Sequence, residues 1–139
     1  MLTKNLSRNW YDKNPLVISQ FYGANGLAPH ADVQRWAYTV PAARRAMLEF
    51  GLAQYIKETV SGAAAWAQSY IRYTPSGGSN SVILSAASTS VGVGAGQTIA
   101  VGFNSVLLAG DAISGRSQDG MTGGTATIQI AAKATEFDA

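Results

Sequence analysis

The residues able to do chemistry are few in this chain. Its single histidine, His30, has Asp32 two positions on and serines elsewhere, the raw inventory of a hydrolytic triad. No G-x-S-x-G elbow accompanies them, and a triad is defined by geometry rather than inventory. Pro29-His30 reads instead as a loop residue. Asp111 and Asp119, with Ser114, Ser117 and Gln118 between them, carry oxygen ligands suited to calcium, but the spacing lacks the alternating oxygens and closing glutamate of a calcium loop. Asp111 after Gly110 is better explained as a turn residue whose side chain caps its own backbone. Gly92-Val-Gly-Ala-Gly is the one phosphate-loop candidate, yet it runs on into the strand-like Gln97-Thr-Ile-Ala-Val and lacks both the dinucleotide spacing and a G-K-[ST] ending. Glu49 and Glu58 do not form a recognisable carboxylate pair for glycoside hydrolysis. With no cysteine, thiol nucleophiles, disulfides and cysteine-ligated metals are excluded. The expectation is a non-enzymatic protein without cofactor or metal.

Binding chemistry has better material. On a strand, Trp66, Gln68, Tyr70 and Arg72 share one face, with Ala67, Ser69, Ile71 and Tyr73 on the other. That face would fill a core, form a protein interface or stack on sugar rings, in that order of preference. Arg44 and Arg45 are consecutive, so on a strand one of them points inward or toward a partner, for which an acidic patch on a neighbouring subunit is the expected match.

These groups have to be positioned by a β-rich body. Val82–Ser88, Ile99–Phe103 and Ser105–Ala109 read as strands, and Thr125–Ala134 alternates apolar and polar residues throughout. Pro75-Ser-Gly-Gly, Gly92-Val-Gly-Ala-Gly, Gly110-Asp111 and Gly120-Met-Thr-Gly-Gly supply turn chemistry between them. Short strands at regular spacing predict an antiparallel sandwich or barrel. Residues 42–58 are ambiguous. Propensity favours a helix with Leu48, Leu52, Tyr55, Ile56 and Thr59 on one face, whereas Ala46, Leu48, Phe50 and Leu52 alternate as a strand requires.

Residues 1–35 show neither period and are punctuated by Asn14-Pro15, Gly23, Asn25-Gly26 and Pro29. They nevertheless hold Trp10, Tyr11, Leu16, Val17, Ile18, Phe21 and Tyr22, too much apolar surface for a solvated linker. The expected organisation is an extended N-terminal arm over 1–35, with Trp10, Tyr11, Leu16, Ile18, Phe21 and Tyr22 as anchors, followed by a sandwich domain over 36–139.

At 139 residues the chain suits one domain. Its hydrophobic fraction of 47% is ordinary, but charged residues make up 13%, against about 25% in typical proteins. So sparse a charge implies surface hidden in an assembly. Residues 1–73 carry a net +4 and residues 74–139 a net −2, a polarity suited to contacts between copies and too dilute for nucleic acid. No apolar run approaches the ~18 residues of a membrane span, and Met1–Arg8 does not read as a secretory leader.

The run Thr39-Val-Pro-Ala-Ala-Arg-Arg-Ala-Met-Leu-Glu, then Ser105-Val-Leu-Leu-Ala-Gly-Asp and the closing Gly123-Gly-Thr to Lys133-Ala-Thr-Glu-Phe, resembles a group of small tailed-bacteriophage virion structural proteins. Those carry a V-P-A-G-K-R-like entry, an L-L-x-A-G-D turn and a T-G-G-T … A-K-x-T-E-F strand. The resemblance spans Thr39 to the C-terminus and implies an all-β, antiparallel jelly-roll-like β-sandwich. It favours a long strand over residues 46–60, bulged near Gly51–Ala53. Ala43 stands where the entry motif has glycine. The implied role is a capsid decoration or cement protein in the virion, assembled in the host cytoplasm. Its partners would be copies of itself and the major capsid protein or other virion proteins, with no nucleic acid or membrane. A head–tail junction or tail component is the alternative within that class. A carbohydrate-binding sandwich used in host recognition is the alternative outside it.

Overall fold

A computed structural model describes residues 14–61, 67–78, 80–89, 96–119 and 123–139. Eight strands are present: β1 Leu16–Leu27, β2 Val33–Thr39, β3 Arg44–Ser61, β4 Ala67–Thr74, β5 Val82–Thr89, β6 Gly96–Leu107, β7 Ala112–Asp119 and β8 Gly123–Asp138. They form two four-stranded sheets, β1-β8-β3-β6 and β2-β7-β4-β5, in which every pairing is antiparallel. Eight strands divided between two sheets in this order, with β4 and β5 paired in one of them, make a jelly roll, two interleaved Greek keys closed face to face.

Alternation fills the space between the sheets. The first sheet sends in Leu48, Tyr55, Ile128 and Ile130, and the second answers with Trp36, Ile71 and Ile113. Each such side chain stabilises the fold by about 1.5–3 kcal/mol, set against the ordering of the backbone. Residues 44–61 are a strand and not a helix. Strand β3 pairs on both sides, with β6 and β8, and those ladders outweigh its helix-forming composition. Its bulge lies between Leu48 and Phe50, slightly before the expected position, and a second lies between Lys57 and Thr59.

The separation into an arm and a body at residue 35 does not hold. Leu16–Leu27 is a full sheet strand paired with β8, and residue 35 falls inside β2, which pairs with β7. Ile18 and Tyr22 pack against the core of their own chain, as does Leu27. They are therefore built into the sandwich and are not available as anchors on a neighbour.

The turn before β3 forms in spite of Ala43, which adopts the left-handed region at φ 60°. The Arg44 N–H donates to Pro41 O at 3.2 Å, and the Ala139 N–H donates to Ala43 O at 3.0 Å. The turn before β7 uses Gly110 at φ 86°. Asp111 follows it as expected: its carboxylate accepts from Leu108 N–H at 2.9 Å, and also from Ser76 N–H at 2.9 Å in the neighbouring turn.

Candidate interaction surfaces

Several polar residues between the sheets brace them. Trp36 Nε1–H donates to Ile130 O at 3.1 Å, Ser69 Oγ donates to Gln54 O at 2.8 Å, and the Tyr55 hydroxyl donates to Asp119. Tyr38 donates to Glu136 at 2.6 Å, and Arg44 forms ion pairs with Glu136 and Asp138. Burial, with these acceptors adding to it, pushes the Tyr38 and Tyr55 hydroxyls well above the usual tyrosine range. Arg44 thus finds its acidic partners on β8 of its own chain, not on a neighbouring subunit. Arg45 faces solvent.

His30 does meet a serine. Its Nδ1 lies 2.9 Å from Ala28 O, which only accepts, so Nδ1 donates and Nε2 faces Ser117 Oγ at 2.8 Å. The same hydroxyl accepts from Arg35 Nε at 2.9 Å. A base–nucleophile distance is present, and Ser117 is fully buried. Asp32 is not the third member, because it is gripped by Arg116. Asp111 and Asp119 flank opposite ends of β7. Among the described residues no three acidic or histidine side chains gather as metal ligands.

The outer face of the second sheet is polar and largely hydrogen-bonded within itself, with Arg72 Nε buried and unpaired. Gln68, Tyr70 and Arg72 share it, as alternation requires; Trp66 lies outside the described residues. Arg116, cross-strand from Tyr70, holds Asp32 through Nη2 at 2.9 Å and Nε at 3.1 Å, and Tyr70 donates to Asp32 at 2.8 Å. Burial alone would raise the Asp32 pKa, but these hydrogen bonds and the charges of Arg116 and Arg72 hold it below the usual carboxylate range. Gln118 donates to Gln68 at 3.0 Å. Tyr70 is 6% exposed, yet it lies on this outer face rather than in the core between the sheets, contrary to expectation.

The outer face of the first sheet is different. Register aligns Val17, Thr135, Met47 and Val106 in one row, Ser19, Lys133, Phe50 and Gly102 in the next, and Phe21, Ala131, Leu52 and Ala100 in a third. Phe21 is 66% exposed, Val17 59%, Val106 47% and Phe50 38%. At its centre Lys133 pairs with Glu49 at 3.8 Å, and Thr135 Oγ1 donates to the same carboxylate at 2.8 Å. Of the expected arm anchors, Phe21 belongs to this face, Leu16 is exposed at the start of β1, and Trp10 and Tyr11 lie outside the described residues. Met47, Phe50 and Val106 were not singled out from sequence. Strand β3 is apolar on both sides, and periodicity does not say which side is outward.

At one flank of the sandwich, the facing edge strands β5 and β6 leave a cleft of about 290 Å³ lined by Leu48, Tyr73, Leu84, Ser105, Val106 and Leu107. Val82, Ile83 and Leu108 are exposed on the same edge strands or beside them.

No family model matches the chain, and no curated protein matches it. Among solved structures it is similar to a chain of the infectious bursal disease virus Gx strain, at 12% identity and a TM-score of 0.48, over 90% of this chain and 32% of that one. It thus spans about a third of the length of that viral chain. It is also similar to the Eiger TNF of S. frugiperda, at 10% identity and a TM-score of 0.46, over 90% of this chain and 92% of that one. A third likeness is to a pilus protein of Bacillus endospore appendages, at 10% identity and a TM-score of 0.39, over 91% and 89% of the two chains.

Proposed function

We propose that this chain is a non-enzymatic structural subunit of a virion, a capsid decoration or cement protein of the tailed-phage kind, that self-associates and binds the head shell. The observation that carries this reading is the outer face of the first sheet, where Val17, Phe21, Phe50 and Val106 form an exposed apolar surface. Exposed apolar side chains gathered on one sheet face mark an interaction site. A second copy is its occupant, because the Lys133–Glu49 pair at its centre is self-complementary and can exchange partners across a symmetric contact. This moves the assembly role from the N-terminal arm, whose residues 16–27 are built into the sheet, to the sheet face itself. A sugar-stacking role for Tyr70 has no support, since its ring is covered and its hydroxyl is engaged.

Light scattering on the full chain and on Phe50→Asp tests self-association. The expected result is a discrete multiple of the 14.5 kDa chain that falls to monomer in the variant while circular dichroism stays unchanged. A wild-type monomer at all concentrations removes the self-association. Failure to co-sediment with tailed-phage heads stripped of accessory proteins removes the cement role.

A further inference from the structure

The two sheets end in four edge strands, β1 and β6 in the first and β2 and β5 in the second. Natural proteins guard such edges with charge, bulges or shortness. Strand β2 is seven residues long, is bulged between Gln34 and Trp36 and carries Arg35. The ladder of β5 is bulged beside Arg72. Along β1 the Arg35 guanidinium lies 4.7 Å from the centre of the Tyr22 ring, and a bulge follows Ala24. Strand β6 lacks these devices over most of its length. Its twelve residues include no charge and no proline, and residues 96–102 pair without a break with residues 56–50 of β3. On its other side no strand lies among the described residues.

The stretch is also its own complement. Thr98, Ala100 and Gly102 are exposed on the outer face, while Ile99 and Val101 are half-buried toward the second sheet. An antiparallel copy centred on Ala100 sets Ala100 against its equivalent, Ile99 against Val101 and Thr98 against Gly102. Branched side chains then meet on one side, and small ones on the other leave the approach open. An edge without charge has no group to select a charged peptide, and it borders the apolar outer face already read as a contact between copies. A second copy is the occupant that fits both.

We propose that β6 pairs edge to edge with β6 of a second copy, joining two first sheets into one of eight strands. So short a ladder does not reach the ~1,200 Å² of a stable interface, so the pairing rests on the outer-face contact proposed above. The continuous sheet presents two apolar faces side by side, and a second edge-paired dimer stacks on them. The assembly is four chains with dihedral symmetry.

Light scattering is expected to give four times the 14.5 kDa chain mass for the wild type. Ala100→Lys sets two lysines against each other on the twofold axis and should leave two chains. Phe50→Asp should leave one, with circular dichroism unchanged in both variants. A wild-type dimer that Ala100→Lys does not alter overturns the edge contact and leaves the outer-face contact standing. A dimer that Ala100→Lys splits and Phe50→Asp does not supports the edge contact and overturns that of the face. A wild-type monomer overturns both. The chain has no cysteine, so an introduced one reads the register directly. Mild oxidation should cross-link Ala100→Cys into a dimer at least fivefold faster than Thr98→Cys, whose equivalents stand about 14 Å apart along the paired strands. Equal rates overturn the pairing centred on Ala100.

Discussion

The Trp36 indole lies directly over the α-carbon of Gly115, its cross-strand partner, and a β-carbon at 115 would overlap the ring. This contact lets a tryptophan on β2 cross the interior and donate to Ile130 O on the opposite sheet.

Gly115→Ala should therefore destabilise the protein by about 1–3 kcal/mol, the cost of overpacking a filled core. The urea midpoint should fall with the slope of the transition unchanged. An unaltered midpoint would mean that the ring has another place to go.

Ala43→Gly should act in the opposite direction. Ala43 occupies left-handed backbone at φ 60°, which costs an L-residue about 1–2 kcal/mol. Glycine removes that strain but adds freedom to the unfolded chain, leaving a net gain of about 0.5–1 kcal/mol. Thermal unfolding of the two proteins side by side checks the sign.

Tyr55→Phe removes the hydroxyl that reaches from β3 to the buried Asp119 on β7. Taking a donor from a buried carboxylate should cost about 1–3 kcal/mol. Tyr38→Phe is the milder comparison, since Glu136 keeps its ion pair with Arg44. Denaturant unfolding of the two variants should rank them in that order.

Stability should fall at both ends of the pH scale. Burial would raise the Asp111 carboxyl, but the Leu108 and Ser76 N–H groups and the Tyr73 hydroxyl outweigh it and hold it low, as Arg116 and Tyr70 do for Asp32. Their contribution is complete above the unfolded value of ~3.9 and is lost as pH falls through the lower folded values. Tyr38 and Tyr55 are shifted upward, so their contribution is complete below the unfolded value of ~10 and is lost as pH rises through the folded ones. Urea midpoints should be flat from about pH 5 to 9 and decline on either side. Asp111→Asn should lower the plateau and shrink the acid limb.

How much of this was legible in the sequence varies element by element. Strand β8 was readable because Ala126, Ile128 and Ile130 face a core while Thr127 and Gln129 do not. Asp111 was readable as a turn residue because its main contact lies three residues away. Strand β1 was not, since Ile18, Gln20 and Tyr22 point one way and Val17, Ser19 and Phe21 the other, with apolar and polar residues on both sides. Its partners on β8 lie from 120 positions along the chain, at Leu16–Glu136, to 99, at Leu27–Ala126, the two ends of the ladder.

The sequence by itself determined the all-β class, the positions of the turns near 75–78 and 108–111, and a low surface charge, because alternation, turn chemistry and composition are local properties. Only the tertiary structure decided that residues 16–35 belong to the sandwich, that Arg44 is satisfied within its own chain, and that Met47, Phe50 and Val106 face outward. Each of those depends on which strand lies alongside, and strand pairing in a jelly roll joins residues too far apart for any local pattern to report.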